Sequence, residues 1–187
     1  MISVIIPNKK GRKLRTSLNN QTFKDFELIV IKDEHLKGQS WALNRGIEKA
    51  KGEYYMFLDD DLDIADSLLD DLYNAIKDTK HTIAYCNFDR KGKVNGNHKA
   101  NEWDYDTLKK HNYISNCSLV VAKDFPKWDE NIHRLKDWDM WLTLAEKGCT
   151  GVWVDKTLFT AYYDEDGISS NSDGGKSEKI VKDKHNL

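Results

Sequence analysis

The chain has 187 residues, enough for one domain with a sizeable core. Hydrophobic residues make up 39% and charged residues 32%, which describes a polar-surfaced globular domain, and a net charge of −2 gives no support to nucleic acid or any other polyanion as partner. The three cysteines (Cys86, Cys117 and Cys149) are scattered and form no CxxC pair, which excludes a zinc site or disulfide framework and points to a reducing, cytoplasmic setting.

The start, Met1-Ile2-Ser3-Val4-Ile5-Ile6-Pro7, lacks a basic leader, and its apolar run is too short for a signal peptide or a membrane span. Its β-branched residues predict a strand over 2–6, stopped by Pro7. Residues 12–20 read as a short helix with Leu14 and Leu18 on one face. A second buried strand covers 26–31 and ends at Lys32-Asp33-Glu34. The spacing of Ala42, Leu43, Ile47 and Ala50 predicts a helix over 39–51, with Gly52 at its C-cap. A third strand covers 53–58, and Leu68, Leu69, Leu72 and Ile76 mark a helix over 65–78. Three strand–helix units in succession argue for an α/β fold with a parallel sheet covered on both faces.

Beyond this the rhythm changes. Strands are predicted at 82–88 and 115–122, a polar turn at 90–100, and short strands at 151–155 and 157–162. Trp138, Trp141, Leu142 and Ala145 recur with helical spacing and predict a helix over 137–147, capped by Gly148. From Asp164 onward the chain is polar, and 169–187 reads as a flexible tail.

Two constellations carry chemistry. In Tyr54-Tyr55-Met56-Phe57-Leu58-Asp59-Asp60-Asp61 an apolar strand ends in three carboxylates. Their mutual repulsion is relieved by a divalent cation with hard oxygen ligands, and Asp59 and Asp61 share a face of an extended segment. Two ligands that leave several positions open suit Mg²⁺ or Mn²⁺ bound jointly with a diphosphate. Ligands of open α/β sheets bind at the carboxyl ends of the strands, where Asp33 also lies. A strand followed by Asp-x-Asp also opens phosphatases of the haloacid dehalogenase type, with Asp59 as nucleophile and Asp61 as general acid. In that motif the position of Asp63 carries Thr or Val, and the motif sits near the N-terminus. The second constellation is Arg134-Leu135-Lys136-Asp137-Trp138-Asp139-Met140-Trp141. Asp137 stands at a helix start, as a cap or as a general base at a pocket rim. Trp138 and Trp141 are either core or flat faces for a sugar ring.

Together these pieces give a resemblance over nearly the whole chain. Ser3-Val4-Ile5-Ile6-Pro7, the segment from Asn20 to Val30, Asn44-Arg45-Gly46-Ile47 and Ala50-Lys51-Gly52-Glu53-Tyr54 come first. They continue with Phe57-Leu58-Asp59-Asp60-Asp61, Trp128-Asp129-Glu130, Asp137-Trp138-Asp139-Met140-Trp141 and Leu144-Ala145-Glu146-Lys147-Gly148. In order and spacing the chain resembles the family 2 glycosyltransferases of the GT-A fold, a Rossmann-like three-layer αβα sandwich with a mostly parallel central sheet. The resemblance implies one GT-A domain over 1–168, with a nucleotide-sugar-binding half (1–88) and an acceptor-side half (89–168). It implies a metal-dependent inverting transfer from a nucleotide-sugar, with a UDP-sugar expected, to a hydroxyl of a glycan or other acceptor. Pro7, Asn8, Asp33, Asn44, Asp59 and Asp60 are then the nucleotide-sugar-binding residues. Asp59 and Asp61 hold the Mn²⁺ or Mg²⁺, and Asp137 is the catalytic base.

The chain departs from the family pattern at four points. The loop after the first strand, Asn8-Lys9-Lys10-Gly11, is shorter than the usual one and lacks its aromatic. The second strand ends in Lys32-Asp33 where Asp-Asp is usual. Leu43 replaces an Arg. The metal-binding His that many members carry a few residues before an Ile-Ser pair corresponds to Asp164, with Asp166 nearby. A module that binds nucleotide-sugar or glycan without turnover is the second reading of the same resemblance. The basic run Lys9, Lys10, Arg12, Lys13 and Arg15 reads as a solvated face, and the six histidines read as surface residues. Trp103-Asp104-Tyr105 either lines an acceptor groove or packs the acceptor-side half, whose sparseness leaves room for a partner subunit.

Overall fold

The computed structural model describes residues 1–9, 18–163 and 174–187. The predicted helix at 12–20 falls mostly outside them; Leu18 is buried in the core and the next two residues form a turn. In chain order the elements begin with β1 (Ile2–Lys9), β2 (Phe26–Asp33), α1 (Gln39–Ile47), β3 (Tyr54–Phe57), β4 (Asp63–Ile64) and α2 (Leu68–Ile76). They continue with β5 (Ile83–Gly92), β6 (Gly96–His98), α3 (Tyr105–Lys110), β7 (Leu119–Val121), α4 (Lys136–Glu146), β8 (Gly151–Tyr163) and α5 (Gly174–Lys184).

The strands form one sheet in the order β2-β1-β3-β7-β5-β8-β4, with β6 added to β5. The pairings make β1, β2, β3, β5 and β8 run one way and β4, β6 and β7 the other, so the sheet is mixed and mostly parallel. Alternation along β1 sorts its side chains between two cores. Ile5 packs with Ala42 and Leu43 of α1, Leu108 of α3, Trp138 and Trp141 of α4, and Val181 of α5. Ile2, Val4 and Ile6 pack with Leu68, Leu69, Leu72 and Ile76 of α2 on the opposite face. The result is three layers, helices on both faces of the sheet.

Several predicted boundaries move, each for a physical reason. β1 runs through Pro7 to Lys9. Leu58 N–H donates to the Ile5 carbonyl, so Ile5, and Pro7 two residues on, turn their backbone groups toward β3. β3 pairs only as far as Ile5, so no partner there needs the N–H that Pro7 lacks. α1 ends at Ile47, and Gly52 is not its cap: a Cβ on Gly52 would lie 2.6 Å from the backbone nitrogen of Ser3, so glycine is there for close approach. The expected polar turn at 90–100 is largely a hairpin of β5 and β6. The two short strands at 151–162 are one, β8, whose register with β5 shifts between Cys86 and Phe88; Asp155 and Lys156 bulge out there, with Asn87 Nδ2 donating to Asp155 Oδ1 at 2.8 Å. The predicted strand at 115–122 contracts to β7, because 115–118 form a turn stitched by Ser118 Oγ to the Ser115 carbonyl (2.7 Å).

The flexible tail is also corrected. Within 169–187, residues 174–184 form α5, which buries Val181 fully and His185 almost fully. His185 Nε2 meets Asp139 Oδ1 at 2.8 Å and its Nδ1 meets Glu146 Oε1 at 2.7 Å, both on α4. Lys184 Nζ donates to Asp139 and Asp129, at 2.9 Å each. Specific charge pairing docks a segment that has few apolar residues of its own.

Candidate active site

Because β1, β2 and β3 run in parallel, their carboxyl ends bring Asn8, Asp33 and Asp59 to one rim of the sheet. β7 runs the other way, so the turn before it delivers Asn116 and Cys117 to the same rim. The far ends of β5 and β8 add Arg90 and Tyr163.

The triple aspartate divides its work. Asp60 is buried and accepts a 2.8 Å hydrogen bond from Asn8 Nδ2, which ties the end of β1 to the turn after β3. Asp59 is partly exposed, and its Oδ1 accepts from Gln39 Nε2, at the start of α1, and from Asn116 Nδ2 at 3.3 Å. Asp61 is partly exposed in the same turn. Burial pushes the Cys117 thiol well above its usual range, and the nearby Asp59 charge adds to this, so Cys117 is a neutral wall of the site.

Asp137 is the second residue of α4, not its N-cap; Leu135 holds that position in the left-handed region at φ 59°. Burial raises the Asp137 carboxyl above its ordinary range, against the pull of Lys136, the backbone N–H groups of the helix start and Asn112. Asn112 Nδ2 donates to Asp137 Oδ2 at 2.9 Å. The two tryptophans settle as core and not as sugar platforms. Trp138 Nε1 donates to the Leu108 carbonyl at 2.6 Å and Trp141 Nε1 to the Ile114 carbonyl at 2.9 Å. These bonds grip the chain on either side of Asn112 and so present its amide to Asp137.

Tyr163 links the two carboxylate centres. Its hydroxyl is raised first by burial and further by the charges of Asp137 and Asp59, while Arg90 acts the other way. His98 is held below its ordinary range by burial and also feels Asp137 and Arg90. Tyr163 therefore feels the charges of both Asp59 and Asp137.

The other expected binding residues lie as follows. Pro7 is half-buried near the end of β1. Asp33 accepts backbone N–H bonds from Lys37 and Gly38, both at 2.8 Å, and so shapes the loop that leads into α1. Asn44 is buried in α1 and spends its amide on Trp128 and Glu130: Nδ2 donates to the Trp128 carbonyl (2.9 Å) and to Glu130 Oε1 (2.8 Å), and Oδ1 accepts from Trp128 N–H (2.9 Å). It holds the 128–130 loop on α1. Asp104 caps α3 through Thr107 N–H, and Trp103 packs against the core, so that segment belongs to packing. Asp164 and Asp166, and the basic run from Lys10 to Arg15, lie outside the described residues. Gln39, Asn112 and Asn116 were missed from sequence; single amides carry no periodic signal.

Among the described residues, no three His, Cys, Asp or Glu side chains come together as a metal cluster, so Asp59 and Asp61 are a partial donor set. Their hard carboxylate oxygens are of the kind that Mg²⁺ and Mn²⁺ prefer, and a pair suits an ion whose shell substrate oxygens complete. No helix among the described residues is long and apolar enough to cross a membrane.

Comparison with known proteins bears on what this rim does. The chain is 26% identical to the GalNAc(5)-diNAcBac-PP-undecaprenol beta-1,3-glucosyltransferase of Campylobacter jejuni, across 65% of this chain and 48% of that protein. It is 25% identical to an uncharacterized glycosyltransferase of Rickettsia typhi, across 75% of this chain and 57% of that one. The chain thus spans about half the length of these relatives. Among solved structures, S. aureus TarS 1-349 in complex with UDP superposes with a TM-score of 0.69 at 17% identity, covering 88% of this chain and 61% of that one. The same protein in complex with UDP-GlcNAc gives 0.68 at 18% identity, covering 96% and 64%. The three-layer architecture is the GT-A fold. The model of glycosyl transferase family 2 matches residues 21–127, more than half of the chain, and with it the strand, turn and aspartates at the centre of the rim; the chain belongs to that family.

Proposed function

We propose that the chain transfers a sugar from a UDP-sugar to an acceptor hydroxyl, with inversion at the anomeric carbon, and that Asp137 is its general base. The observation that carries this reading is that one short segment holds both carboxylates: Asn112 donates to Asp137, and Asn116, four residues on, donates to Asp59. A UDP donor is favoured by the TarS structures, which were solved with UDP and UDP-GlcNAc.

In this reading the donor lies over the ends of β1 and β3. The Asn8–Asp60 bond fixes that floor, and Gln39 and Asn116 set the direction of Asp59. Asp59 and Asp61, joined by Asp164, would hold Mn²⁺ or Mg²⁺, which when bound offsets the charge that builds on the departing diphosphate. On the opposite side, Asp137 accepts the proton of the acceptor hydroxyl as its oxygen bonds to the anomeric carbon. The bond from that carbon to the diphosphate oxygen breaks on the far face, so configuration inverts. Asn112 donates to one carboxylate oxygen and steadies the base without consuming the other. Desolvation keeps the carboxylate basic enough to take the proton.

The test is Asp137→Asn, assayed for UDP binding by calorimetry and for transfer with a panel of UDP-sugars. Transfer falls at least ~10²-fold while UDP affinity stays within about two-fold. Retained transfer would remove Asp137 from the role. UDP binding by the unaltered chain with no turnover across the panel would favour the silent binding module.

A further inference from the structure

A second charged feature of the rim is not used by the reading above. Arg90 sits near the end of β5, and its Nε is buried without a hydrogen-bond acceptor. Among the described residues it makes no ion pair. A guanidinium N–H sealed from water without an acceptor carries an uncompensated cost, and oxyanions are its natural partners.

The residues that flank Arg90 across the sheet are small. Register places Arg90 opposite Ala161 on β8 and opposite Gly96 on β6. Both neighbours are small, and a Cβ built on Gly96 would meet nothing within 4 Å. Tyr163, two residues beyond Ala161, points to the same face as Arg90. One step deeper on that face, the rings of Phe88, Phe159 and His98 form a closed floor, with centroids 4.8 Å and 4.6 Å from Phe88. The arrangement is a cation and a phenol above an aromatic floor at the end of β5 and β8. β5 is separated from β3 by β7. At about 4.8 Å per strand, that puts Arg90's strand roughly 10 Å from the Asp59 strand.

We infer that Arg90, with the Tyr163 hydroxyl beside it, forms an oxyanion subsite that receives a phosphate group carried by the acceptor. A carboxylate offers two oxygens in one plane. The guanidinium and the phenol come from neighbouring strands, and the oxygens of a phosphate can meet both. The inference rests on the reading of the Asp137 side as the acceptor side. The other source of a phosphate is the donor's own diphosphate, and the experiment separates the two.

Inorganic phosphate is titrated calorimetrically into the chain alone and into the chain saturated with UDP and Mg²⁺, for the unaltered protein and for Arg90→Gln, Arg90→Lys and Tyr163→Phe. Phosphate binds both forms of the unaltered protein equally. Arg90→Gln weakens it at least ~10-fold, Arg90→Lys weakens it less, and UDP affinity changes under two-fold throughout. Because Arg90→Gln removes an unpartnered buried donor, its thermal midpoint stays level or rises, which excludes misfolding as the cause. Equal phosphate affinity in Arg90→Gln overturns the subsite. Displacement of phosphate by UDP, together with weakened UDP binding in Arg90→Gln, overturns the acceptor assignment in favour of the donor diphosphate. Should UDP bind no form of the chain, the donor reading fails on its own, and the titration without UDP still decides the role of Arg90.

Discussion

A carboxylate that takes a proton from a hydroxyl works best when its ionised form is poorly solvated but still oriented, and Asp137 meets both conditions. Burial raises its carboxyl, and Asn112 partly opposes that rise by bonding the ionised form. Two consequences follow in opposite directions. As the proposed base, Asp137 acts when deprotonated, so kcat is expected to rise with pH through its folded-state value, which lies above the ordinary carboxylate range. Asn112→Ala removes a contact that lowers this value, so the acid limb of the kcat profile moves to higher pH; an unmoved limb would detach Asn112 from the base. For stability the sign is reversed. A carboxyl whose folded value exceeds its unfolded one binds protons more tightly in the native state, so stability falls as pH rises from the unfolded value through the folded one. Asp137→Asn removes that cost and leaves the protein at least as stable at pH 7, measured by its thermal midpoint. Loss of transfer in this variant then reports chemistry and not unfolding.

At the scale of elements, the position of α4 depends on what grips it. One grip is the pair of indole N–H bonds that bracket Asn112. The other is α5, whose Lys184 and His185 both meet Asp139, which is about 3% exposed. Replacing both Lys184 and His185 by Ala strands a buried carboxylate and costs about 3–5 kcal/mol by denaturant unfolding. Adding Asp139→Asn restores most of the loss, since the isolated charge is then gone; no restoration would show that α5 acts through packing alone. The contrast between α5 and α4 also shows what can be read from a chain. α4 announces itself through Trp138, Trp141 and Leu142 at helical spacing, and α2 through its leucines. α5 buries one apolar residue of its own, Val181, and its docking charges find partners some 45 residues away, so nothing local marks it. The site divides in the same way. Asp59 and Asp137 stand where a strand ends and a helix begins, and those boundaries are legible. Gln39, Asn112 and Asn116 act only through contacts made across the fold, and each is an isolated amide in the sequence. Asn44 shows the reverse limit: its motif was legible, but the geometry spends its amide on the 128–130 loop.

For the whole molecule, the parallel strands collect Asp33 and the Asp59 turn at one rim, and the antiparallel β7 turns back to deliver Asn116 there. Asn8–Asp60 and Gln39–Asp59 join β1, α1 and the turn after β3 before any ligand arrives. Such a floor loses little freedom on binding, so binding free energy appears as added stability of the fold. At a hundred-fold excess over Kd, a ligand specific for the native state adds about 2.7 kcal/mol, which for a chain of this size raises the thermal midpoint by roughly 5–10 °C. A screen of nucleotides with and without Mn²⁺ therefore reads base preference and metal use together. UDP with Mn²⁺ gives the larger rise, UDP alone a smaller one, and Asp61→Ala brings the first down to the second. An equal rise with and without Mn²⁺ in the unaltered chain would mean that UDP binds without metal, leaving Asp61 no role as a ligand at that step. A rise with another nucleotide that exceeds the rise with UDP would reassign the donor. The Asp59 turn would keep its place in either case, since it is fixed by the ends of β1 and β3 and not by the base.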